Sequence, residues 1–595
     1  MIYFMPAFSA GTLRSIFEHL NSFEPTGPAS AISLFQRATP VQGGNTMSPS
    51  ATPRMVELPN SVHQLPTGSK AMRRTNGQRW IELTLGVKRS ADLPDLSELD
   101  NKLPKARKYM TREQLASQYG SDPKAIKSIE DFAKAHKLVV TRNEPAAARL
   151  GIAGTVDDVS DAFGVTLFDY SHPKLGDFHA RTGPVHVPAE VGDAITGVFG
   201  LNNHRVLHRS RHSATSAKPD FASSVRHWFV PTELGAIYGF PKVDASKQCI
   251  GLLEFGGGVE TPDVAAYFAK IGVPAPEVAV IAIDGVSTDP AGDPESTGEV
   301  MLDVDVAGAL GGGARIATYF STFDEKGLVD CLAKVVSDSV NDPSVVSISW
   351  GWDENQAFNN SGVIWSPAAI DHCNHSFLAA AHLGITFCVS TGDDGSEAQM
   401  QDGRAHVNFP ATSPYVLAVG GTTLHARANA KKQVQITETV WNDGPGSGTG
   451  GGVSDITPVP SWQQGIVPKS INPRHFAGRA IPDVAANADP ATGYLTMSGG
   501  KLGIVGGTSA SAPLWASLIA RINAAIGARS GNFNALLYSK FGPSGVLRDI
   551  TVGNNDTDGL LDGQYKAGPG WDACTGWGVP DGGKLLAALQ GGPSS

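Results

Sequence analysis

The sequence predicts an α/β fold in which helices flank a parallel β-sheet, with a smaller α/β unit in front of it. From residue 249 onward, short apolar segments alternate with segments of helical period, which is typical of βαβ units. The charge divides as well. Residues 1–212 carry 25 Lys and Arg against 20 Asp and Glu, whereas residues 213–595 carry 22 against 37. Opposite net charges indicate two parts that dock on each other.

The larger part, residues 226–595, supplies the sheet. Its predicted strands, rich in β-branched residues, span residues 249–254, 278–283, 315–320, 345–350, 385–390 and 415–420. Its predicted helices span residues 263–271, 299–310, 327–339 and 368–383. Because helices connect the strands, the strands run parallel, and functional side chains are expected at their carboxyl ends.

The smaller part, residues 56–202, also mixes strands and helices. Its predicted strands span residues 80–85, 139–141 and 165–168, and its predicted helices span residues 124–137 and 156–163. Residues 203–225 are basic, rich in Ser, Ala and His, and without periodicity, which predicts a linker. Residues 1–55 are assigned to no domain and lack the basic start and long apolar core of a secretory signal.

Composition excludes several classes of protein. With 41% apolar residues and 68 glycines, the chain is neither disordered nor collagen-like. No apolar stretch approaches the roughly 20 residues of a membrane-spanning helix. The five cysteines are too few for a disulfide scaffold. We therefore expect a large globular protein, monomeric, with neither a membrane nor a nucleic acid as partner.

The most specific motif is GTSASAP at residues 507–513. It brings Ser509 to the start of an apolar run that predicts a buried helix, with Pro513 in the first helical turn, where no N–H is needed. At that position the unpaired N–H groups and the positive end of the helix dipole converge, and they would stabilise a developing oxyanion. A simple cap on a core helix is the alternative for the three central residues alone.

Two carboxylates open a second predicted helix. Glu299 and Asp303 are four residues apart, so both side chains lie on one helix face, one turn from each other. Their mutual repulsion and their apolar neighbours favour a shared proton. An ordinary solvated acidic face explains the same segment equally well.

Three further polar side chains follow predicted strands. Asp393 lies in the turn TGDDG after the strand at 385–390, and alone it is best explained as a turn residue. Glu254 and Trp350 fall at the ends of two other strands. A parallel sheet would bring all three to one edge, although Glu254 could also be a strand-end charge that faces water.

Together these motifs resemble the sedolisin family of serine-carboxyl peptidases, and most closely its kumamolisin-like bacterial members. The resemblance covers about residues 228–589. It implies a subtilisin-like sheet preceded by a ferredoxin-like prodomain, with Ser509 as nucleophile, Glu299 as general base, Asp303 sharing its proton and Asp393 in the oxyanion hole. Glu254 and Trp350 match positions that extend the proton-sharing network.

The same resemblance implies one calcium ion near the C-terminus. Asp549 and Asp572 would supply carboxylates, and Ile550, Gly568 and Gly570 would supply main-chain carbonyls. An all-oxygen shell of this kind is what calcium prefers. By contrast His372, His375 and His382, on the helix predicted at 368–383, lack a fourth ligand, and a structural role for them is favoured over zinc.

The expected function is therefore that of an acid-acting serine-carboxyl endopeptidase, made as a zymogen that cleaves itself within residues 203–225. A carboxylate base works only while ionised and an aspartic oxyanion donor only while neutral, and both conditions hold together only in acid. The expected partners are protein or peptide substrates and the chain's own prodomain, and the expected location is extracellular. Two alternatives are a non-catalytic homologue that binds peptide or calcium, and a neutral subtilisin-type peptidase. The latter is disfavoured because the sequence contains no His-Gly pair.

Overall fold

The computed structural model describes residues 54–209, 212–213, 227–354, 365–428 and 434–592. The chain divides into two units, Met1–Thr52 and Pro53–Ser595. All of the described residues belong to the second unit, which contains both the prodomain region and the larger α/β part.

The larger part is built on a predominantly parallel sheet. Its strands, numbered along the whole chain, are β12 (Cys249–Phe255), β13 (Val278–Ala282), β14 (Arg315–Ser321), β15 (Val345–Ile348), β16 (Trp350–Asp353), β17 (Thr386–Ser390), β18 (Asn408–Phe409), β19 (Leu417–Ala428), β20 (Val434–Val440), β21 (Gly452–Pro458), β22 (Gly478–Ile481), β23 (Val484–Asn487), β24 (Tyr494–Ser498) and β25 (Lys501–Gly506). The main sheet runs β13-β14-β12-β15-β17-β19-β20, and β23 also pairs with β19. All of these pairs are parallel except β19 with β20.

Helices cover both faces of this sheet. They are α6 (Pro231–Ile237), α7 (Thr261–Ile271), α8 (Pro294–Leu310), α9 (Glu325–Ser337), α10 (Pro367–His382), α11 (Thr508–Ile526), α12 (Asn534–Leu536) and α13 (Gly582–Gln590). In β12, Ile250 and Leu252 pack in the apolar cluster that contains α8 and α11. Cys249 and Leu253 pack in a second cluster that contains α9 and α10. Successive residues of the strand thus enter different cores, which explains its uninterrupted apolar sequence.

The described residues of the prodomain region form three antiparallel sheets, of two, three and four strands, separate from the main sheet. Its strands are β1 (Met55–Glu57), β2 (Lys70–Arg74), β3 (Trp80–Val87), β4 (Val139–Glu144), β5 (Arg149–Thr155), β6 (Phe168–His172), β7 (Gly176–Ala180), β8 (His186–Pro188) and β9 (Ile195–Phe199). Its helices are α1 (Ser97–Asp100), α2 (Arg112–Tyr119), α3 (Pro123–Ala135), α4 (Val156–Phe163) and α5 (Ala189–Gly192). The four-stranded sheet has the order β4-β5-β3-β9 with α3 and α4 as the crossovers, which is the ferredoxin-like arrangement. The predicted fold class is therefore confirmed for both parts.

Charged groups join the prodomain region to the larger part. Arg142 of β4 forms ion pairs of 2.7 Å with Asp284 and 2.5 Å with Asp330. Lys326 lies 2.8 Å from each of the same two carboxylates, and the Thr84 hydroxyl donates to Asp330. The Asp330 side chain is fully buried. An arginine of the prodomain region thus lies against two buried carboxylates of the larger part.

Some boundaries differ from the prediction. The strand predicted at 345–350 divides at Ser349, because β15 pairs within the main sheet whereas β16 pairs with β18. The strand predicted at 165–168 is wrong, since β6 begins only at Phe168. Pro513 is the sixth residue of α11 and not a first-turn residue. None of the helices in the described part of the chain is long and apolar enough to cross a membrane.

Candidate active site

Ser509 lies in the first turn of α11, fully buried. Gly507, which precedes the helix, has a φ of 121°, a conformation that a residue with a side chain would reach only under strain. The Ser509 hydroxyl donates to the main-chain oxygen of Ser349 at 3.4 Å. Pro513 has no N–H to donate to the carbonyl of Ser509 one turn earlier, and the Ser349 hydroxyl lies 3.3 Å from that oxygen instead.

Asp393 lies against the same helix end. Its Oδ1 accepts hydrogen bonds of 2.7 Å from both the main-chain N–H and the hydroxyl of Thr508. Its own carbonyl accepts from the Gly448 N–H at 2.8 Å. The carboxyl of Asp393 is therefore held beside the residue that precedes Ser509, at the positive end of the helix dipole.

Glu299 and Asp303 are both fully buried on α8. Asp293 is the N-cap of this helix, and its side chain accepts a hydrogen bond from the Ser296 N–H. The Ser349 hydroxyl lies 3.0 and 2.8 Å from the two carboxylate oxygens of Asp303. Ser349 thus connects Asp303 of α8 to Ser509, the predicted nucleophile.

Glu254, at the end of β12, joins this cluster of carboxyls. It accepts a hydrogen bond of 3.2 Å from the Trp350 indole N–H. Burial, followed by the nearby Glu299, raises the pKa of Glu254 well above its usual range, and the bond from Trp350 opposes this. Burial, followed by Glu254 and then Glu299, raises the pKa of Asp303 in the same way, against the bond from Ser349. Three carboxyls that burial and mutual repulsion act on together retain at least one proton.

The structure brings the six predicted site residues together. Glu254, Trp350 and Asp393 lie at one edge of the main sheet. Glu299 and Asp303 lie on α8, and Ser509 lies on α11. Two residues that complete the contacts were not predicted, namely Ser349 and Thr508. Both lie inside motifs that the sequence shows, SISWG and GTSASAP. Alternation along the strand could have indicated that Ser349 faces away from its neighbours, but not that the chain changes sheets there.

The region predicted as a linker passes the same place. It contains two short strands, β10 (His208–Arg209) and β11 (His212–Ser213). In the antiparallel pairing, Arg209 lies opposite Trp350, His208 opposite Gly351, His212 opposite Gly506 and Ser213 opposite Val505. One strand therefore adds to the segment after Ser349, and the other adds to the segment before Gly507.

The residues expected to bind calcium lie around one C-terminal loop. Asp549 accepts from the Gly570 N–H at 2.8 Å, and Asp572 accepts from the Gly568 N–H at 3.2 Å. Burial raises the pKa of Asp572 to about 6, although N–H donors from its own loop oppose this. Among the described residues, no group of three or more His, Cys, Asp or Glu side chains is placed to hold a metal. Asp549 and Asp572 supply two carboxylates, so a calcium ion at this loop would need main-chain carbonyls as well.

The three histidines of α10 contact three different carbonyl oxygens. His372 bonds that of Thr196 at 3.0 Å, His375 that of Asp371 at 2.9 Å, and His382 that of Pro94 at 2.8 Å. Two of these oxygens belong to the prodomain region, so these histidines act in packing and docking.

The fold and this site define a serine peptidase with an N-terminal activation domain. Residues 68–204 match the family model for the pro-kumamolisin activation domain, and residues 291–578 match that for the subtilase family.

Whole-chain relatives narrow the class. The chain is 43% identical over 545 residues to kumamolisin from Bacillus sp. (strain MN-32), across 90% of this chain and 94% of that protein. It is 30% identical to sedolisin from Pseudomonas sp. (strain 101), across 86% and 87%. A solved structure of Pseudomonas sedolisin, a serine-carboxyl proteinase with two molecules of pseudo-iodotyrostatin, matches with a TM-score of 0.51 and 30% identity, across 61% of this chain and 98% of that one. The chain belongs to the sedolisin family of serine-carboxyl peptidases and carries the prodomain of a zymogen.

Proposed function

We propose that this zymogen matures into an acid-acting endopeptidase with Ser509 as its nucleophile. The observation that supports this best is the run of contacts from Ser509 through Ser349 to Asp303, with Asp393 bonded to Thr508 in the same helix turn. The nucleophile, a protonated carboxyl cluster and an oxyanion donor would then converge on one bound peptide bond.

In the proposed mechanism, Glu299 takes the hydroxyl proton as the Ser509 oxygen attacks the carbonyl carbon of the substrate. The C–N bond then breaks, and Glu299 returns the proton to the departing amine. Water then gives one proton to Glu299 while its oxygen attacks the acyl carbon; the ester C–O bond breaks, the new carboxyl group leaves, and Glu299 returns the proton to the Ser509 oxygen. Asp303 positions Glu299 and shares its proton throughout, while Glu254 and its Trp350 partner extend the set of groups that hold this proton.

Asp393 would stabilise the oxyanion of the tetrahedral intermediate, together with the Ser509 N–H. Oδ1 is oriented by the two donors of Thr508, so a proton on Oδ2 could be donated to the oxyanion. This role requires a neutral Asp393, whereas a general base must be ionised. An acidic optimum follows from the two requirements together.

The linker supports self-processing and internal cleavage. β10 and β11 pair with residues 350–351 and 505–506, which adjoin Ser349 and the nucleophile motif, in the way that an extended peptide adds to a sheet edge. The bond cut first would then lie between Arg209 and His212. Strand pairing on both sides of the bond to be cut favours an endopeptidase over an enzyme that removes terminal residues.

The proposal includes one calcium ion, held by Asp549, Asp572 and the carbonyls of Ile550, Gly568 and Gly570. An ion there would fix the C-terminal loop. It further includes an extracellular, monomeric enzyme that acts on proteins and peptides.

Self-processing provides the test. Full-length protein incubated at pH 4 should yield a catalytic fragment that begins at Ser210, Arg211 or His212, as read by N-terminal sequencing. Ser509→Ala should remain intact. Ser511→Ala is the matched control, because its hydroxyl bonds the carbonyls of Ala486 and Asn487, and it should process. A processed Ser509→Ala protein would contradict the mechanism, and a first cut outside this interval would contradict the proposed maturation bond.

A further inference from the structure

Residues 206–209 of the linker contact the site through their main chain and through the side chain of His208. Upstream of β10, the N–H groups of Val206 and Leu207 both donate to the carbonyl of Phe323 at 3.0 Å. β10 then pairs with the strand that carries Trp350. These are main-chain contacts, so a peptide of another sequence could repeat them.

The side chain of His208 packs against the indole ring of Trp352. Its ring centroid is 3.9 Å from that of Trp352, with 39° between the ring planes. Its Nε2 is buried and has no hydrogen-bond partner among the described residues. The Trp352 indole thus offers a flat apolar surface, but the Nε2 atom of His208 is left without a hydrogen-bond partner in the described part of the chain.

This environment suits a hydrocarbon ring better than an imidazole. A buried ring nitrogen without a partner costs binding free energy that a phenyl ring does not incur. Burial, followed by the charge of Arg205, lowers the pKa of His208 to about 3, so the imidazole is held in its neutral form. In acid, a substrate histidine would have to lose its proton to bind in the same way.

We propose that Trp352 is a specificity-determining residue which selects an uncharged aromatic side chain on the substrate, N-terminal to the scissile bond. His208 occupies this subsite in the zymogen as a suboptimal ligand. A propeptide that binds less well than a substrate can be displaced once its bond is cut. This inference rests on the proposed peptidase function and adds the substrate preference of the same site.

The test uses mature enzyme and quenched fluorescent peptides with the sequence of residues 203–214, in which position 208 is Phe, His or Ala. At pH 4 we expect kcat/KM to be at least tenfold higher for the Phe peptide than for the His peptide. Only about one free imidazole in 300 is neutral at that pH, and the difference should shrink as the pH approaches 7. The Phe to Ala ratio should fall to near one in Trp352→Ala and persist in Trp352→Phe.

The outcomes distinguish the Trp352 subsite from the proposed peptidase function. Equal rates for the Phe and Ala peptides, or a preference that survives in Trp352→Ala, would overturn this inference while the peptidase function stands. Failure of the wild-type enzyme to hydrolyse any of the peptides or denatured protein would overturn the proposed function itself.

Discussion

His372 should weaken the attachment of the prodomain as the pH falls. It lies on α10 of the larger part and is buried, and its neighbours across the interface belong to the prodomain region. Its Nε2 bonds the carbonyl of Thr196 at 3.0 Å, and its ring lies edge-on to Phe199 at 5.1 Å. Arg149 of the prodomain bonds the carbonyl of His372. When the prodomain leaves, this ring loses its cover.

The size of the effect follows from the pKa of His372. Burial, followed by the charge of Arg149, lowers this pKa to about 3 in the docked state, against about 6.5 for an exposed histidine. A base with a depressed pKa stabilises the docked state fully above pH 6.5 and loses that contribution as the pH falls toward 3. At pH 4 the docked state should be weaker by roughly 300-fold, or about 3 kcal/mol, than at neutral pH on account of this one residue.

The variant His372→Gln cannot gain a proton, so its prodomain should stay attached in acid. The assay is the lag before full-length protein begins to hydrolyse an added peptide, measured from pH 3 to 7. We expect the lag of His372→Gln to exceed that of the wild type increasingly below pH 6. His375→Gln, on the exposed side of the same helix, is the control and should behave as wild type. If the lags of His372→Gln and wild type coincide at every pH, the reasoning is refuted.

Charged groups in the site, in the C-terminal loop and at the prodomain interface give three further predictions. Glu254→Gln removes a carboxyl whose ionised form raises the pKa of Asp303, so the Glu299 and Asp303 pair should ionise at lower pH and the acidic limb of the kcat/KM profile should shift to lower pH; an unmoved limb would contradict this. Calcium should raise the melting temperature above that measured with chelator, because at 100 times its Kd it adds about 2.7 kcal/mol to the free energy of unfolding. Asp549→Asn should remove that difference. Arg142→Met should weaken prodomain docking by about 2–3 kcal/mol, since it leaves two buried carboxylates with one cation, and should shorten the lag before activity at neutral pH. Arg73→Met, which breaks only an exposed pair, should leave that lag unchanged.

The sequence predicted those features that depend on local pattern. The helix predicted at 156–163 has the predicted bounds, because a capping threonine and a terminal glycine mark its ends. Glu299 and Asp303 are found on one helix, as their spacing indicated. The family motifs also predicted which side chains would converge, although each alone had an ordinary structural explanation.

The features that were not predicted depend on contacts remote in sequence. The role of Ser349 arises because the chain changes sheets at that residue, which no periodicity records. The pairing of β10 and β11 uses main-chain groups, so a basic, aperiodic linker sequence gives no sign of it. The docking role of His372 depends on Thr196, 176 positions earlier, in a part of the chain that reads as an independent unit.

The most direct test of the central claim is the hydrolysis of a denatured protein between pH 2 and 8 by the wild type beside Ser509→Ala. The mechanism predicts activity that peaks in acid and is lost in the variant. A neutral optimum would show that the base is not the Glu299 and Asp303 pair, and activity that survives in Ser509→Ala would show that Ser509 is not the nucleophile.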